Sequence, residues 1–236
     1  MGEEKTVNLP MKVIEYFASR QGEGLWTGVP STFIRLGGCN LFCRFCDTTY
    51  ASWKCEPGAD LSPEELVGVA LLYGLPHVVL TGGEPMAMSA TVRLSKLLAE
   101  RNFTVTIETN GTCDLPVRCS LMSISPKMEN SAPADPLLRD RHERLRYRPD
   151  VVRSLMKRYS VQLKFVVDTP KDLREIDRYL AELGPFDRRR VFLMPQAVTL
   201  DDMRRKEEWI RHASRLRGFE YSPRMQLEWY GAVRGK

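Results

Sequence analysis

The chain has 236 residues, enough to bury a full core within one domain, expected here to span 1–236. A hydrophobic content of 43% and a charged content of 28% are those of a globular protein in water, and no apolar run approaches the ~20 residues that cross a bilayer. With 35 basic and 30 acidic side chains the net charge is +5, too mild to demand a nucleic-acid partner.

The start, Met1-Gly2-Glu3-Glu4-Lys5, is polar and has no apolar segment of the signal-peptide kind, so a cytoplasmic location is expected. Six cysteines in that compartment read as metal ligands or free thiols rather than disulfides. Residues 31–36 form an apolar run that predicts a strand. Ser62-Pro63-Glu64-Glu65 predicts a helix start, with Ser62 as cap and Glu65 closing a capping box, and the helix runs to about Tyr73. A buried strand follows at 77–80, a helix from Ser89 to near Arg101, and strands at 103–107 and 121–124. Residues 128–148 hold two prolines, many charges and no apolar periodicity, and are expected to be a long loop insertion. A helix over 150–159, a strand at 163–167, a helix from Pro170 to Leu183 stopped by Gly184-Pro185, a strand at 191–194 and a helix over 200–216 complete the chain.

Six strands joined largely by helices are the pattern of parallel βα units, whose chemistry sits at the strand C-termini. The fold class is therefore α/β, with one rim collecting the polar and glycine-rich signals. Cys39 follows the first strand, Thr81-Gly82-Gly83-Glu84-Pro85 the second, Glu108-Thr109-Asn110-Gly111 the third, Ser125-Pro126-Lys127 the fourth and Met194-Pro195-Gln196 the sixth.

Cys39, Cys43 and Cys46 are spaced C-x3-C-x2-C in one short loop. Four thiolates would close a tetrahedral zinc site, whereas three leave a position open. A 4Fe-4S cluster takes one thiolate per iron, so three ligands leave one iron free for a substrate or cofactor. Zinc completed by His77, His142 or His212, or inert thiols, are the alternatives, although no histidine is near the loop in sequence. Cys55, Cys113 and Cys119 share no ligand spacing and read as ordinary residues. The glycines of the Thr81 to Pro85 motif let the backbone approach a ligand, and Glu84 adds a carboxylate able to pair with an ammonium. Ser125 and Lys127 offer donors to a carboxylate or ribose. Upstream, Ser19-Arg20-Gln21-Gly22-Glu23-Gly24 presents an amide and a carboxylate from one tight loop, groups that suit the N–H-rich edge of an aminopyrimidinone. Arg35 supplies a fork for a carboxylate. The basic runs near 139–148 and 188–190 read as a solvated loop and a helix-to-strand turn, and sparse aromatics there argue against RNA.

Taken together, Gln21-Gly22-Glu23-Gly24, Phe33-Ile34-Arg35-Leu36, Gly38-Cys39-Asn40, Cys46-Asp47-Thr48, Thr81-Gly82-Gly83-Glu84-Pro85, Glu108-Thr109-Asn110-Gly111, Ser125-Pro126-Lys127 and Ser222-Pro223-Arg224 resemble the 7-carboxy-7-deazaguanine synthase family of radical S-adenosylmethionine (SAM) enzymes. The resemblance runs from about Ile14 to Gly231. It implies a modified, partial (β/α)6 barrel and a reaction in 7-deazapurine (queuosine precursor) biosynthesis. There 6-carboxy-5,6,7,8-tetrahydropterin becomes 7-carboxy-7-deazaguanine with release of ammonia, and a 5′-deoxyadenosyl radical from SAM takes a hydrogen atom from C6.

The same resemblance implies a 4Fe-4S cluster on Cys39, Cys43 and Cys46, and SAM held around Phe45, Cys46, Asp47, Gly83, Glu84, Ser125, Pro126, Lys127 and Gln196. Substrate would face Arg20, Gln21, Gly22, Glu23, Arg35, Thr81 and Gln226, the last where many members carry His, and Thr48 of the Cys-Asp-Thr motif would bind magnesium. No side chain is assigned a catalytic role beyond these, the chemistry being carried by SAM and the cluster. A flavodoxin-type or other electron donor and a homodimer are implied, with no nucleic acid and no membrane. A glycyl-radical activase would share the cysteines and the Gly-Gly-Glu turn without needing Gln21, Glu23 or Arg35, and a zinc-stabilised binding module would show no SAM turnover.

Overall fold

A computed structural model describes residues 10–231 and 233–235. The polar start at Met1 to Lys5 lies outside the described residues. Strands β1 (Met11–Arg20), β2 (Pro30–Leu36) and β3 (Ala59–Leu61) precede helix α1 (Pro63–Tyr73). Then follow β4 (His77–Gly82), α2 (Ala90–Glu100), β5 (Thr104–Thr109), β6 (Leu121–Ile124), α3 (Pro136–Arg146), α4 (Pro149–Arg158) and β7 (Val161–Val167). The chain ends with α5 (Asp172–Leu183), β8 (Val191–Pro195), α6 (Leu200–Arg217), the short β9 (Glu220–Tyr221) and α7 (Met225–Tyr230).

Among the described residues the strands form one open sheet in the order β3-β1-β2-β4-β5-β6-β7-β8-β9. From β2 to β9 every pairing is parallel, and the antiparallel pairings are those of β1 with β2 and with β3. The six strands read from the sequence are β2 and β4 to β8, the parallel part of an α/β sheet of the partial-barrel type that does not close. Their continuous apolar runs follow from burial on both faces, as at Val78, Val79 and Leu80 in β4 and Met122 and Ile124 in β6. The helices between them start and stop by local chemistry. Ser62 and Glu65 complete the capping box on α1, and Gly74 ends it in the left-handed conformation. Asp202 N–H donates to the Thr199 cap of α6, and Gly218 closes that helix.

Two departures from the sequence reading matter for the site. β1 carries a bulge between Val13 and Glu15, which sets Glu15 opposite Arg35 of β2. Residues 128–148 are not a loop. They contain a 3₁₀ turn at Glu129–Ser131 and α3, capped by Asp135 with Pro136 at its first position. The expected apolar stripe is missing because α3 buries His142 and Arg146 instead of hydrophobic side chains. Arg146 is satisfied by Glu143 at 2.7 Å, Glu175 at 2.9 Å and the Lys127 carbonyl.

Candidate active site

The loops at the carboxyl ends of the parallel strands surround a cavity of about 510 Å³. Cys39, Cys43 and Cys46 line it from the loop after β2. Burial pushes the Cys39 thiol up to about 12, against a backbone N–H from Leu41 at 3.4 Å. It raises Cys43 to about 11, with Lys127 opposing. Thiols in this state lose their protons only to a strong local positive charge, which metal coordination supplies. The donor set, three soft sulfurs on one cavity wall, fits a cluster that takes three protein thiolates.

Zinc fits less well. His142 does reach the loop, but its Nδ1 accepts from Phe42 N–H at 3.2 Å and its Nε2 meets Ser131 Oγ at 2.9 Å. His77 packs edge-on against Trp26, and His212 lies on the outer face of α6.

The glycine turn after β4 braces this loop. Gly83 N–H donates to Leu36 O at 2.9 Å and Glu84 N–H to Gly38 O at 2.8 Å. A Cβ on Gly83 would meet Gly38 O at 1.8 Å, so glycine is required by contact with the cysteine loop itself. Glu84 does not point its carboxylate into the cavity as the sequence suggests. It is fully buried behind the wall, accepting from Met86 N–H at 2.9 Å, Thr109 Oγ1 at 2.7 Å and Asn110 N–H at 2.6 Å. Burial raises its carboxyl, against the bonds from Asn110 and Thr109. Glu84 thus clips β4 to the end of β5. Asn110 continues the chain, with Nδ2 donating to Asn40 Oδ1 at 3.0 Å and lying 4.0 Å from Cys39 Sγ. Pro126 also lies outside the cavity lining, between Ser125 and Lys127, which are in it.

Residues placed near SAM by the sequence otherwise share the cavity. Phe45, Asp47, Gly83, Ser125, Lys127 and Gln196 all line it. Lys127 Nζ donates to Ser125 Oγ at 2.7 Å, leaving the Ser125 hydroxyl proton for another acceptor. Lys206 Nζ donates to Gln196 Oε1 at 3.2 Å, which leaves the Gln196 amide protons free to face a ligand. Thr48 lines the cavity beside Cys46, and its hydroxyl makes no capping bond to the turn it precedes.

Arg20, Gln21, Gly22, Glu23, Arg35, Thr81 and Gln226 line the same cavity. The Glu23 carboxylate accepts from Lys164 Nζ at 3.0 Å, Arg224 Nε at 3.2 Å and Gln226 Nε2 at 2.7 Å. Burial works to raise its pKa, but Lys164 and Arg224 outweigh burial and hold it down at about 2. Lys164 also donates to Glu108 Oε2 at 2.9 Å, and Arg224 pairs with Asp47 next to the third cysteine. An ionic chain from Asp47 through Arg224, Glu23 and Lys164 to Glu108 therefore links the cysteine loop to the Gln21–Glu23 loop. Gln226 Oε1 is buried with no hydrogen-bond partner and packs against Gly22, where an added Cβ would meet it at 2.0 Å. Arg35 donates Nε to Glu15 at 2.6 Å and lies over the Phe17 ring, so Glu15 takes one edge of its fork.

Lys164 was not singled out from the sequence, and Glu108 and Arg224 were noted only within their motifs. A lysine in the middle of the apolar run VQLKFVV was the available signal.

A model of the Radical SAM superfamily matches residues 33–123, from β2 with its cysteine loop through the glycine turn to β6. The 7-carboxy-7-deazaguanine synthase of Rhodopirellula baltica is 40% identical over 99% of this chain and 92% of its own length. That of Halobacterium salinarum is 36% identical over 92% of this chain and 89% of its own. The crystal structure of QueE from Escherichia coli superimposes with a TM-score of 0.65 at 28% identity, covering 91% of this chain and 93% of that one.

Proposed function

The chain belongs to the 7-carboxy-7-deazaguanine synthase family, radical SAM enzymes of 7-deazapurine biosynthesis, and on that premise we propose that it converts 6-carboxy-5,6,7,8-tetrahydropterin to 7-carboxy-7-deazaguanine and ammonia. Substrate and product differ by the elements of ammonia, so the ring contraction balances with no further reactant consumed. The observation that carries the reading is the single cavity, in which Cys39, Cys43 and Cys46 share walls with Glu23, Gln226 and Arg35.

Family membership implies a 4Fe-4S cluster and SAM. When bound, they supply the 5′-deoxyadenosyl radical that abstracts hydrogen from the substrate. Cys39, Cys43 and Cys46 would hold the cluster. Phe45, Asp47, Gly83, Ser125, Lys127 and Gln196 would face SAM, with Glu84 and Pro126 supporting that wall from behind. Glu23 stays ionised at neutral pH and would accept N–H donors from an aminopyrimidinone, joined by Gln21 and Gln226 of the same cavity wall. The outer edge of Arg35 would take the substrate carboxylate, with Arg20 and Thr81 beside it. Thr48 would place magnesium against a substrate oxygen, as suits a hard cation. A cytoplasmic location, a homodimer and an electron donor of the flavodoxin type or another belong to the same proposal.

The test is anaerobic turnover of the reconstituted chain with 6-carboxytetrahydropterin, SAM, magnesium and a chemical reductant, read by mass spectrometry. 7-Carboxy-7-deazaguanine is expected from wild type and none from Cys43→Ala. SAM cleavage without that product would point to an activase and overturn the substrate.

A further inference from the structure

His142, which the sequence offers only as a fourth ligand for zinc, is fully buried on α3. Its Nδ1 accepts from the backbone N–H of Phe42, the residue before Cys43. On the other side of Cys43, the backbone N–H of Arg44 donates to Ser131 O at 2.9 Å. Ser131, also fully buried, joins the two contacts by meeting His142 Nε2 at 2.9 Å and donating its hydroxyl to Met128 O at 2.5 Å. The pattern fixes the tautomer: Nδ1 accepts, so Nε2 carries the proton and donates to Ser131. Arg141 covers the Phe42 ring at 5.0 Å, and Arg44 Nε reaches Asn130 O at 2.6 Å. Residues 128–148 therefore grip the chain on both flanks of the middle cysteine.

We propose that His142 and Ser131 are positioning residues that fix the backbone at Phe42 and Arg44 and so hold Cys43 in the geometry that retains the cluster. A backbone N–H bound to a rigid acceptor cannot rotate, and the cysteine between two such anchors keeps one orientation of its Cα–Cβ bond. Groups that orient a metal ligand from outside the ligand set typically change metal retention by about 10- to 100-fold when removed. The inference rests on reading Cys43 as a cluster ligand.

Asn at 142 places its amide oxygen near the Nδ1 position and can still accept from Phe42, whereas Gln places it nearer Nε2 and Leu accepts from neither. The experiment measures loss of the cluster to an iron chelator under anaerobic conditions, by visible absorbance, beside thermal unfolding of the metal-free chain. His142→Leu and His142→Gln should lose the cluster at least about tenfold faster than wild type, with His142→Asn restored to within about threefold. Ser131→Ala should fall between. Where His142→Leu does not fold, the Asn and Gln pair decides. Equal loss rates for Asn and Gln, or a folded Leu variant that keeps the wild-type rate, overturn the inference. A wild-type chain that takes up no iron–sulfur cluster overturns the underlying assignment of the cysteines, and this inference with it.

Discussion

Lys164 places its ammonium 3.0 Å from Glu23 and, with a side chain only 4% exposed, does so out of reach of bulk water. Glu108 stands at 2.9 Å on its other flank. Burial works to lower the pKa of Lys164, and the two carboxylates outweigh it and raise it, so it stays a cation rather than a proton donor at neutral pH. Its part is to keep Glu23 ionised and in place. Lys164→Met should leave both carboxylates without their shared counter-charge and cost about 3–5 kcal/mol, because removing one member of a buried pair is far worse than removing the pair. Adding Glu108→Gln should recover part of that loss. Urea unfolding of the metal-free single and double variants checks it. A single-variant cost below ~1 kcal/mol would mean that water screens the site.

Arg35→Ala should weaken substrate much more than SAM. Glu15 holds the Nε edge at 2.6 Å and Tyr50 and Arg234 hold Glu15 in turn, so the guanidinium is fixed before any ligand arrives. A charge-assisted pair to a carboxylate is worth about 1.5–3 kcal/mol, or roughly ten- to a hundredfold in dissociation constant. Dissociation constants for both ligands in one variant decide it. Equal losses would place Arg35 in the scaffold.

Much of this site was legible in the sequence, and what was missed has particular causes. The six parallel strands announce themselves as apolar runs between amphipathic helices, and the motifs at their ends do share one rim. β1 does not announce itself, because its bulge at Val13 and Glu15 breaks the alternation a strand reading depends on. Glu84 was legible as a carboxylate near the cofactor but not in its direction. Only the contacts with Thr109 and Asn110, 25 and 26 residues on, turn it behind the wall. Lys164 and Glu23 are separated by 141 residues, and no local pattern joins them. Residues 128–148 look like a loop because their helix buries an imidazole and a guanidinium, which no hydrophobic periodicity can reveal.

That buried imidazole should also show itself in acid. Burial lowers the pKa of His142 from 6.5 to about 4, with Arg146 and Lys127 adding to the effect. The folded chain thus binds fewer protons than the unfolded chain between those values, and stability falls as pH drops from about 6.5 towards 4. Below that window this group adds no further loss. Unfolding midpoints of the metal-free chain across the range, compared with His142→Asn, isolate its share. Asn should remove part of the slope, and an unchanged slope would assign the acid sensitivity to other groups.

Thr48→Ala should leave the iron–sulfur spectrum intact and lower turnover. The Thr48 hydroxyl lines the cavity 3.9 Å from Cys46 Sγ and makes no bond that closes its own turn, so it is placed to meet a cation beside the cysteine loop. A cation held between that hydroxyl and a substrate oxygen would fix the reacting carbon. Misplacement by ~1 Å could cost on the order of 10²-fold in rate. Magnesium titrated into the metal-depleted wild type should raise turnover, and the variant should respond weakly. Identical responses would return Thr48 to the loop.

Gln226 offers the sharpest test of how the heterocycle is read. Its Nε2 is committed to Glu23 at 2.7 Å, while its Oε1 is buried with no partner. An unpaired buried acceptor carries a desolvation cost of about 1–3 kcal/mol, and a ligand N–H recovers that cost when the amide turns from Gly22 to meet it. Gln226→Leu removes the acceptor and one of the bonds that hold Glu23. The KM for the tetrahydropterin should therefore rise by roughly ten- to a hundredfold, with SAM affinity unchanged. Gln226→His, which restores a ring nitrogen as acceptor, should recover part of the affinity, since acceptor chemistry rather than side-chain shape is at stake. A His variant as poor as Leu would show that the amide matters only through Glu23, whose carboxylate would then read the substrate alone.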